Sequence, residues 1–339
     1  NRPVVTGFYY DEDSASVIQA KVDGHTSFAE SLMTNGPLKG YSNTTFPTAI
    51  SVDDLLTVAY YDDYTFATVS SMKPTGTLDV IKGQVTGAMT RILGLDHETD
   101  SWLHSFTFYD DRYRPVKSVS DNHKGGQDIL ETHYLNEVSA LIDTVISTHW
   151  TSAHTNPIKV TETFTYDHMD RLLTHTHQVN EGAVVTLVAN SYNELGELES
   201  KQIGNNIQKI DYRYNMRGWL TTINGGGTFP LVSGDRFAME LQYDAAGQYN
   251  GNIGRMNWRS SGGSNVNTQQ FSYSYDPLGR LKGATYESSG KNGHFNVSNL
   301  SYDANGNIET LDRTKNGGNL DKLTYVYQGN QLTSVEDAS

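Results

Sequence analysis

Two histidines, His175 and His177, stand two residues apart in a segment that alternates as a strand does. That spacing puts both imidazoles on one face and would supply half of a tetrahedral zinc site. No third or fourth ligand is evident, and ordinary sheet-surface histidines account for the pair without a metal. His149 and His154, on either side of Trp150, carry less signal still. Asp303-Ala304-Asn305-Gly306-Asn307 places side-chain oxygens at alternate positions, as a calcium loop does. An EF-hand loop, however, needs its glycine at about the sixth place and a glutamate at about the twelfth, whereas Gly306 is fourth. The carboxylate pairs Asp62-Asp63 and Asp110-Asp111 could be imagined as general acid and base. Adjacent strand residues face opposite sides, so turn capping explains these pairs better than cooperation on one substrate. No GxSxG elbow, GxxxxGK[ST] loop or HExxH helix occurs. No catalytic, cofactor-binding or metal-binding residue emerges, and the chain is expected to be non-enzymatic and to need no cofactor.

The elements that carry these residues are turns. In Tyr275-Asp276-Pro277-Leu278-Gly279-Arg280-Leu281 the aspartate suits the first position of a type I turn, where its carboxylate accepts the amides just ahead. Pro277 suits the second position and Gly279 the fourth, where a left-handed conformation is often needed. Phe271, Tyr273 and Tyr275 alternate before the turn and Leu281 resumes an apolar position after it. The stretch reads as a β-hairpin.

Composition fits a protein made largely of such hairpins. Apolar residues are 36% of 339, yet there are 21 tyrosines and 31 glycines. That balance disfavours both a thick core and disorder, and favours extensive sheet with many turns. With 25 Lys and Arg against 39 Asp and Glu, the formal charge is -14, which excludes nucleic acid as a default partner. There is no cysteine, so disulfide and thiolate chemistry are absent. No apolar run reaches the roughly 20 residues needed to span a bilayer as a helix.

The turn recurs along the chain. Units begin at Tyr109, Tyr166, Tyr192, Tyr214, Tyr243, Tyr275, Tyr302 and Tyr327, at intervals from 22 residues (Tyr192 to Tyr214) to 32 (Tyr243 to Tyr275) after the first long gap. Such variable spacing favours a meandering sheet over a fixed-coil solenoid. Four residues after the tyrosine stands Gly196, Gly218, Gly247, Gly279 or Gly306, with Tyr113 and Asp170 as exceptions; the last unit is one residue shorter. Two before it the residue is usually apolar (Phe164, Tyr212, Leu241, Tyr273, Leu300, Tyr325), and six after it come Leu172, Leu198, Leu220, Leu281 and Ile308. These positions predict a cross-strand cluster on one face.

Earlier in the chain, Ala15, Val17, Ile18, Ala20 and Val22 predict a short helix capped by Asp13 or Ser14 and ended by Gly24. Leu56, Val58 and Tyr60, with Tyr61-Asp62-Asp63-Tyr64, read as a decayed hairpin; residues 80–93 read as strand interrupted by Gly83 and Gly87. Asn1-Arg2-Pro3-Val4 parallels Arg114-Pro115-Val116, as if the chain began inside the second half of a unit. Gly225-Gly226-Gly227 and Ser261-Gly262-Gly263-Ser264 read as flexible connections.

The units, YDxxGRL in consensus, resemble the YD repeats of RHS-repeat proteins, a group that includes teneurins and the shells of insecticidal toxin complexes. The resemblance covers nearly all of residues 109–332. Gly40-Tyr41-Ser42-Asn43 with Phe46-Pro47-Thr48, followed by Leu56 to Tyr64, looks like the segment preceding the repeats in secreted RHS proteins of Bacteroidota. The resemblance implies an all-β fold: a long meandering antiparallel sheet of hairpins forming part of a hollow spiral shell, with a short N-terminal helix. It divides the chain into an N-terminal RHS-associated segment, 1–105, and a YD-repeat array, 106–339, with both ends truncated within a longer chain. It further implies a structural segment of a secreted or cell-surface protein that encloses a C-terminal effector of the same polypeptide, with secretion machinery or cell-surface components as further partners. The family's cleavage-associated core motif finds no match. The alternative is a cell-surface adhesin whose sheet binds glycans through its exposed aromatic residues.

Overall fold

The computed structural model describes residues 2–48, 50–67, 69, 71–93, 102–225, 235–261, 268–291 and 293–339. Apart from the helix Ala15–Asp23 and two short 3-10 turns, the regular structure is β. The chain divides into two compact units, Asn1–Val185 and Thr186–Ser339.

In the first unit the strand Val5–Gly7 lies against Leu55–Asp63, which pairs with Val80–Arg91. Successive antiparallel strands then follow in chain order: Trp102–Tyr109, Pro115–Asp121, Gln127–Tyr134, Ile142–His149, Ile158–Tyr166 and Leu172–Val179. The second unit repeats this meander from Val185–Tyr192 to Gln331–Asp337. Within each unit, strands pack against their ladder neighbours and no second sheet covers them among the described residues. The low apolar content follows, because such a layer has no thick interior to fill.

What core there is lies mainly in the first unit. Leu38, Tyr41, Leu55, Val58, Tyr60 and Trp102 form one cluster, and Tyr64, Val69, Phe108 and Val119 another. The rings of Tyr60 and Phe66 stack with centroids 3.9 Å apart. Gly87 permits that stack, since a Cβ there would clash with the Phe66 ring. Val80–Arg91 runs as one strand, and its ladder with Leu55–Asp63 shifts register around Gly83, between the pairs Tyr61–Val85 and Asp62–Ile81. In the second unit alternation separates the two faces. Glu240, Asn257, Gln270 and Glu287 stand opposite one another on successive strands, while Met239 faces Trp258 and Phe271 faces Tyr286 on the other side.

The expected helix begins after Ser14 and ends at Gly24. Tyr61-Asp62-Asp63 does not form a turn of the repeating kind. The strand continues through Asp63, and the connection to Val80 is long. Asp62 instead accepts both guanidinium nitrogens of Arg2 and the amide of Gly83, while Asp63 caps the amide of Thr65. Of the glycine-rich connections, Gly226-Gly227 and Gly262-Gly263-Ser264 lie outside the described residues.

Candidate functional site

The repeating turn is built the same way in six copies, those of Asp110, Asp167, Asn193, Asn215, Asp276 and Asp303. In the Asp276 copy the amide of Gly279 donates to the carbonyl of Asp276 and the amide of Asp276 to the carbonyl of Arg280, both at 2.9 Å. Gly279 sits at φ +78, the left-handed region that a Cβ disfavours. Asp276 Oδ1 accepts the amides of Leu278 and Arg280 at 2.9 and 2.8 Å, and Oδ2 accepts Arg280 Nε at 2.6 Å. Asp110 and Asp167 repeat this with Arg114 and Arg171. Asn193, Asn215 and Asp303 keep the two amide bonds with other residues in the arginine position, Glu197, Trp219 and Asn307.

After these turns the ladder slips by one residue. Tyr275 pairs with Leu281 but Ser274 with Gly283, so Lys282 is extra. The same bulge follows Tyr109, Tyr166, Tyr192, Tyr214, Tyr302 and Tyr327. Such a bulge strengthens the local twist and disturbs pairing at the turn edge. At that edge the unit tyrosine of the following hairpin reaches back. The hydroxyl of Tyr302 donates to Leu281 O at 2.8 Å, that of Tyr243 to Leu220 O at 2.9 Å, and that of Tyr214 to Leu198 O at 3.1 Å. In the first unit Tyr166 bonds Ile142 O and Tyr134 bonds Pro115 O.

The turn arginine completes this contact. Its guanidinium, held by the aspartate of its own turn, stacks on the tyrosine of the next hairpin: Arg114 lies 4.2 Å over Tyr134 and Arg280 4.5 Å over Tyr302. Each of these two tyrosines is thus clamped between a cation and a carbonyl of the preceding hairpin. Residues at the start of the chain make the same clamp. Arg2 stacks 4.5 Å over Tyr61, whose hydroxyl donates to Pro3 O at 2.8 Å, as Arg114 and Pro115 do with Tyr134.

Electrostatics follow from these bonds. The Arg171 side chain and the turn amides hold the Asp167 carboxyl down at about 2, against the effect of desolvation. At Asp110 and Asp276 desolvation opposes ionisation, but the backbone amide and guanidinium of Arg114 and Arg280 outweigh it and hold both carboxyls low. Desolvation pushes up the phenols of Tyr109, Tyr134, Tyr166, Tyr243 and Tyr275.

No protein-family model matches the chain, and no curated protein matches it either. Solved structures similar to it include the TcdB2-TccC3-Cdc42 crystal structure, at 11% identity and TM-score 0.28, matched over 84% of this chain and 18% of that one. The Photorhabdus luminescens Tc holotoxin pore carrying a TccC3 mutation is similar over 78% of this chain and 15% of that one, at 11% identity and TM-score 0.31. A porin-like protein from Bacteroides uniformis covers 66% of this chain and 88% of its own length, at 11% identity and TM-score 0.19. The chain therefore spans less than a fifth of the length of the toxin-complex chains it matches.

The residues singled out for chemistry have other duties here. The His175 ring stacks on Phe164 at 4.4 Å, with Nε2 3.2 Å from Glu162 Oε1, and His177 stands opposite Glu162 in the ladder. Asp303 spends its oxygens on the amides of Asn305 and Asn307 and on Asn307 Nδ2. His149 contacts Asp128, and the amide of His154 donates within its own turn to Thr151. Among the described residues no cluster of three or more His, Asp or Glu is placed to hold a metal ion, and no helix is long and apolar enough to cross a membrane.

Sequence reading missed one tyrosine-led unit. Tyr134 begins a unit whose loop is two residues longer, with Asn136 capping Val138 and Ser139 before pairing resumes at Ile142. Its asparagine stands two places after the tyrosine instead of one, so the spacing hides it.

Proposed function

We propose that the chain is a wall segment of an RHS-type shell, non-catalytic in itself, which encloses an effector domain carried further along the same polypeptide. The observation that carries this reading is the clamp that joins one hairpin to the next through Tyr, Arg and a carbonyl. The residues that define the repeat are all used in turns and in junctions between hairpins. A layer assembled this way extends by adding hairpins and exposes two unlike faces, as a wall between an enclosed space and solvent requires. The remainder of the polypeptide would be the main partner. Secretion or display at the cell surface, with the corresponding machinery as a further partner, belongs to the same proposal.

Protease protection tests it. The gene's full product, carrying whatever domain follows this chain, is digested in parallel with that domain expressed alone. Enclosure requires the domain to survive in the full product under conditions that destroy it when free. Equal rates of cleavage would refute the container.

A further inference from the structure

One hairpin junction departs from the rule in two places at once. At Asn215 the residue in the arginine position is Trp219. Its indole meets the next unit tyrosine, Tyr243, with ring centres 4.9 Å apart and planes at 44°, in place of the guanidinium stack made by Arg114 and Arg280. The turn after Tyr243 is also enlarged. Asp244 leads into a 3-10 turn, Ala245–Gly247, and pairing resumes only at Arg255, opposite Gln242. The position six after the tyrosine, in five other units a leucine or isoleucine beginning the return strand, is here Tyr249, which is 78% exposed. The enlarged loop folds back on the tryptophan, since a Cβ on Gly251 would meet the indole at 2.9 Å.

Between these features lies an open cleft of about 460 Å³, lined by Trp219, Tyr243, Tyr249, Glu240, Gln242 and Thr222 among others. That volume lies within the range of small-molecule sites. Its polar side is prearranged. Glu240 Oε2 accepts Gln242 Nε2 at 3.1 Å and Asn257 Nδ2 at 2.8 Å. Thr222 stands opposite Glu240 in the ladder, and its hydroxyl oxygen is buried with no hydrogen-bond partner among the described residues.

We propose that this cleft binds a neutral oligosaccharide. An exposed aromatic ring beside fixed amide and carboxylate groups matches the two sides of a pyranose: an apolar C–H face and a rim of hydroxyls that both donate and accept. Anionic ligands fit poorly. Glu240 and Asp244 face the cleft, and its cation, Arg217, lies 5.0 Å over the Trp219 ring. Turn geometry alone requires neither the added residues nor the exposed Tyr249, because the shorter turns close without them.

The test uses the chain with cellohexaose, chitohexaose and xylohexaose as neutral probes and hexagalacturonate as the anionic one, read by saturation-transfer NMR and calorimetry. Two substitutions probe the cleft: Tyr249→Ala, and Trp219→Arg, which restores the residue that the Asp110, Asp167 and Asp276 turns carry. Leu278→Ala, at the tip of a different turn, is the control, and circular dichroism checks folding. Saturable binding of a neutral hexaose is expected, weakened about tenfold or more by each cleft substitution and unchanged in the control. The proposal is overturned if no neutral probe binds saturably at millimolar concentration, if hexagalacturonate binds more tightly, or if Tyr249→Ala, a change at an exposed side chain, leaves binding intact.

Discussion

The guanidinium of Arg280 lies 4.5 Å over the ring of Tyr302 while its Nε is bonded to Asp276, so one side chain spans two hairpins. The Tyr302 hydroxyl returns to Leu281 O, the residue that follows Arg280. Removing the tyrosine hydroxyl should loosen the junction and leave the turn intact, whereas removing the guanidinium also takes away a bond of the turn itself.

Tyr302→Phe keeps the ring under Arg280 but deletes the bond to Leu281 O. A loss of about 1 kcal/mol of stability is expected, read from the urea midpoint. Arg280→Lys should also destabilise, because an ammonium can replace neither the planar stack nor the directed Nε bond. If both variants unfold at the wild-type midpoint, the clamp contributes nothing.

Position four of the turn offers a test in both directions. Gly279 is left-handed at φ +78, and a Cβ there would meet only Asn252 Nδ2, at an ordinary contact distance of 3.5 Å. Gly279→Val should therefore cost about 2 kcal/mol through backbone strain alone. Tyr113 and Asp170 occupy the equivalent position at φ +65 and +61. Tyr113→Gly should accordingly raise stability by about 1 kcal/mol once the added freedom of the unfolded chain is subtracted. A fall in stability would mean that the Tyr113 side chain does something the turn does not need.

Asp276 has two separable roles. Asp276→Asn keeps an oxygen for the amides of Leu278 and Arg280, as Asn193 and Asn215 do in their turns, and gives up the bond to the guanidinium. Asp276→Ala gives up both. The alanine variant should have the lower denaturation midpoint, and the reverse order would contradict the capping geometry.

Acid should weaken the turns together. Asp167 and Glu30 are both held at about 2, Asp167 by the Arg171 side chain and Glu30 by hydroxyls of Ser42 and Thr45 and amides of Thr44 and Thr45 that outweigh its desolvation. A carboxyl that is more acidic folded than unfolded stabilises above the unfolded value, near about 4, and that contribution disappears as pH falls through about 2. Stability should therefore decline between about pH 4 and 2. At the alkaline end the sign reverses. Desolvation pushes Tyr41 and Tyr60 from 10.0 up to about 12, so their contribution is complete below 10.0 and disappears as pH rises through about 12. Urea midpoints read by circular dichroism across pH would follow both limbs, and ultraviolet titration of phenolate would add the alkaline one.

Much of this was legible in residues such as Asp276, Pro277 and Gly279, because turn chemistry is local: the carboxylate, the fixed φ and the left-handed site act within about five residues. The tyrosine period and the strand alternation were legible for the same reason. The role of Arg280 was not, since its partner Tyr302 lies 22 positions on and that distance changes from unit to unit (Arg114 to Tyr134 is 20). The bulge after such turns was hidden too, because an extra residue in one strand leaves apolar positions such as Leu281 in place. The cleft beside Trp219 is the opposite case. Tyr249 occupies a position where five other units carry leucine or isoleucine, and that departure could have been read directly.

The clamp also has a direction. Tyr214, Tyr243 and Tyr302 reach toward the hairpin made before them, and Arg114 and Arg280 stack on the tyrosine that comes after. A chain emerging from the ribosome N-terminus first can therefore complete such junctions in the order of synthesis, using contacts between neighbours in sequence. At the growing end the newest hairpin would be the one that lacks its seal, and its strand would be the edge newly offered to the crowded cell.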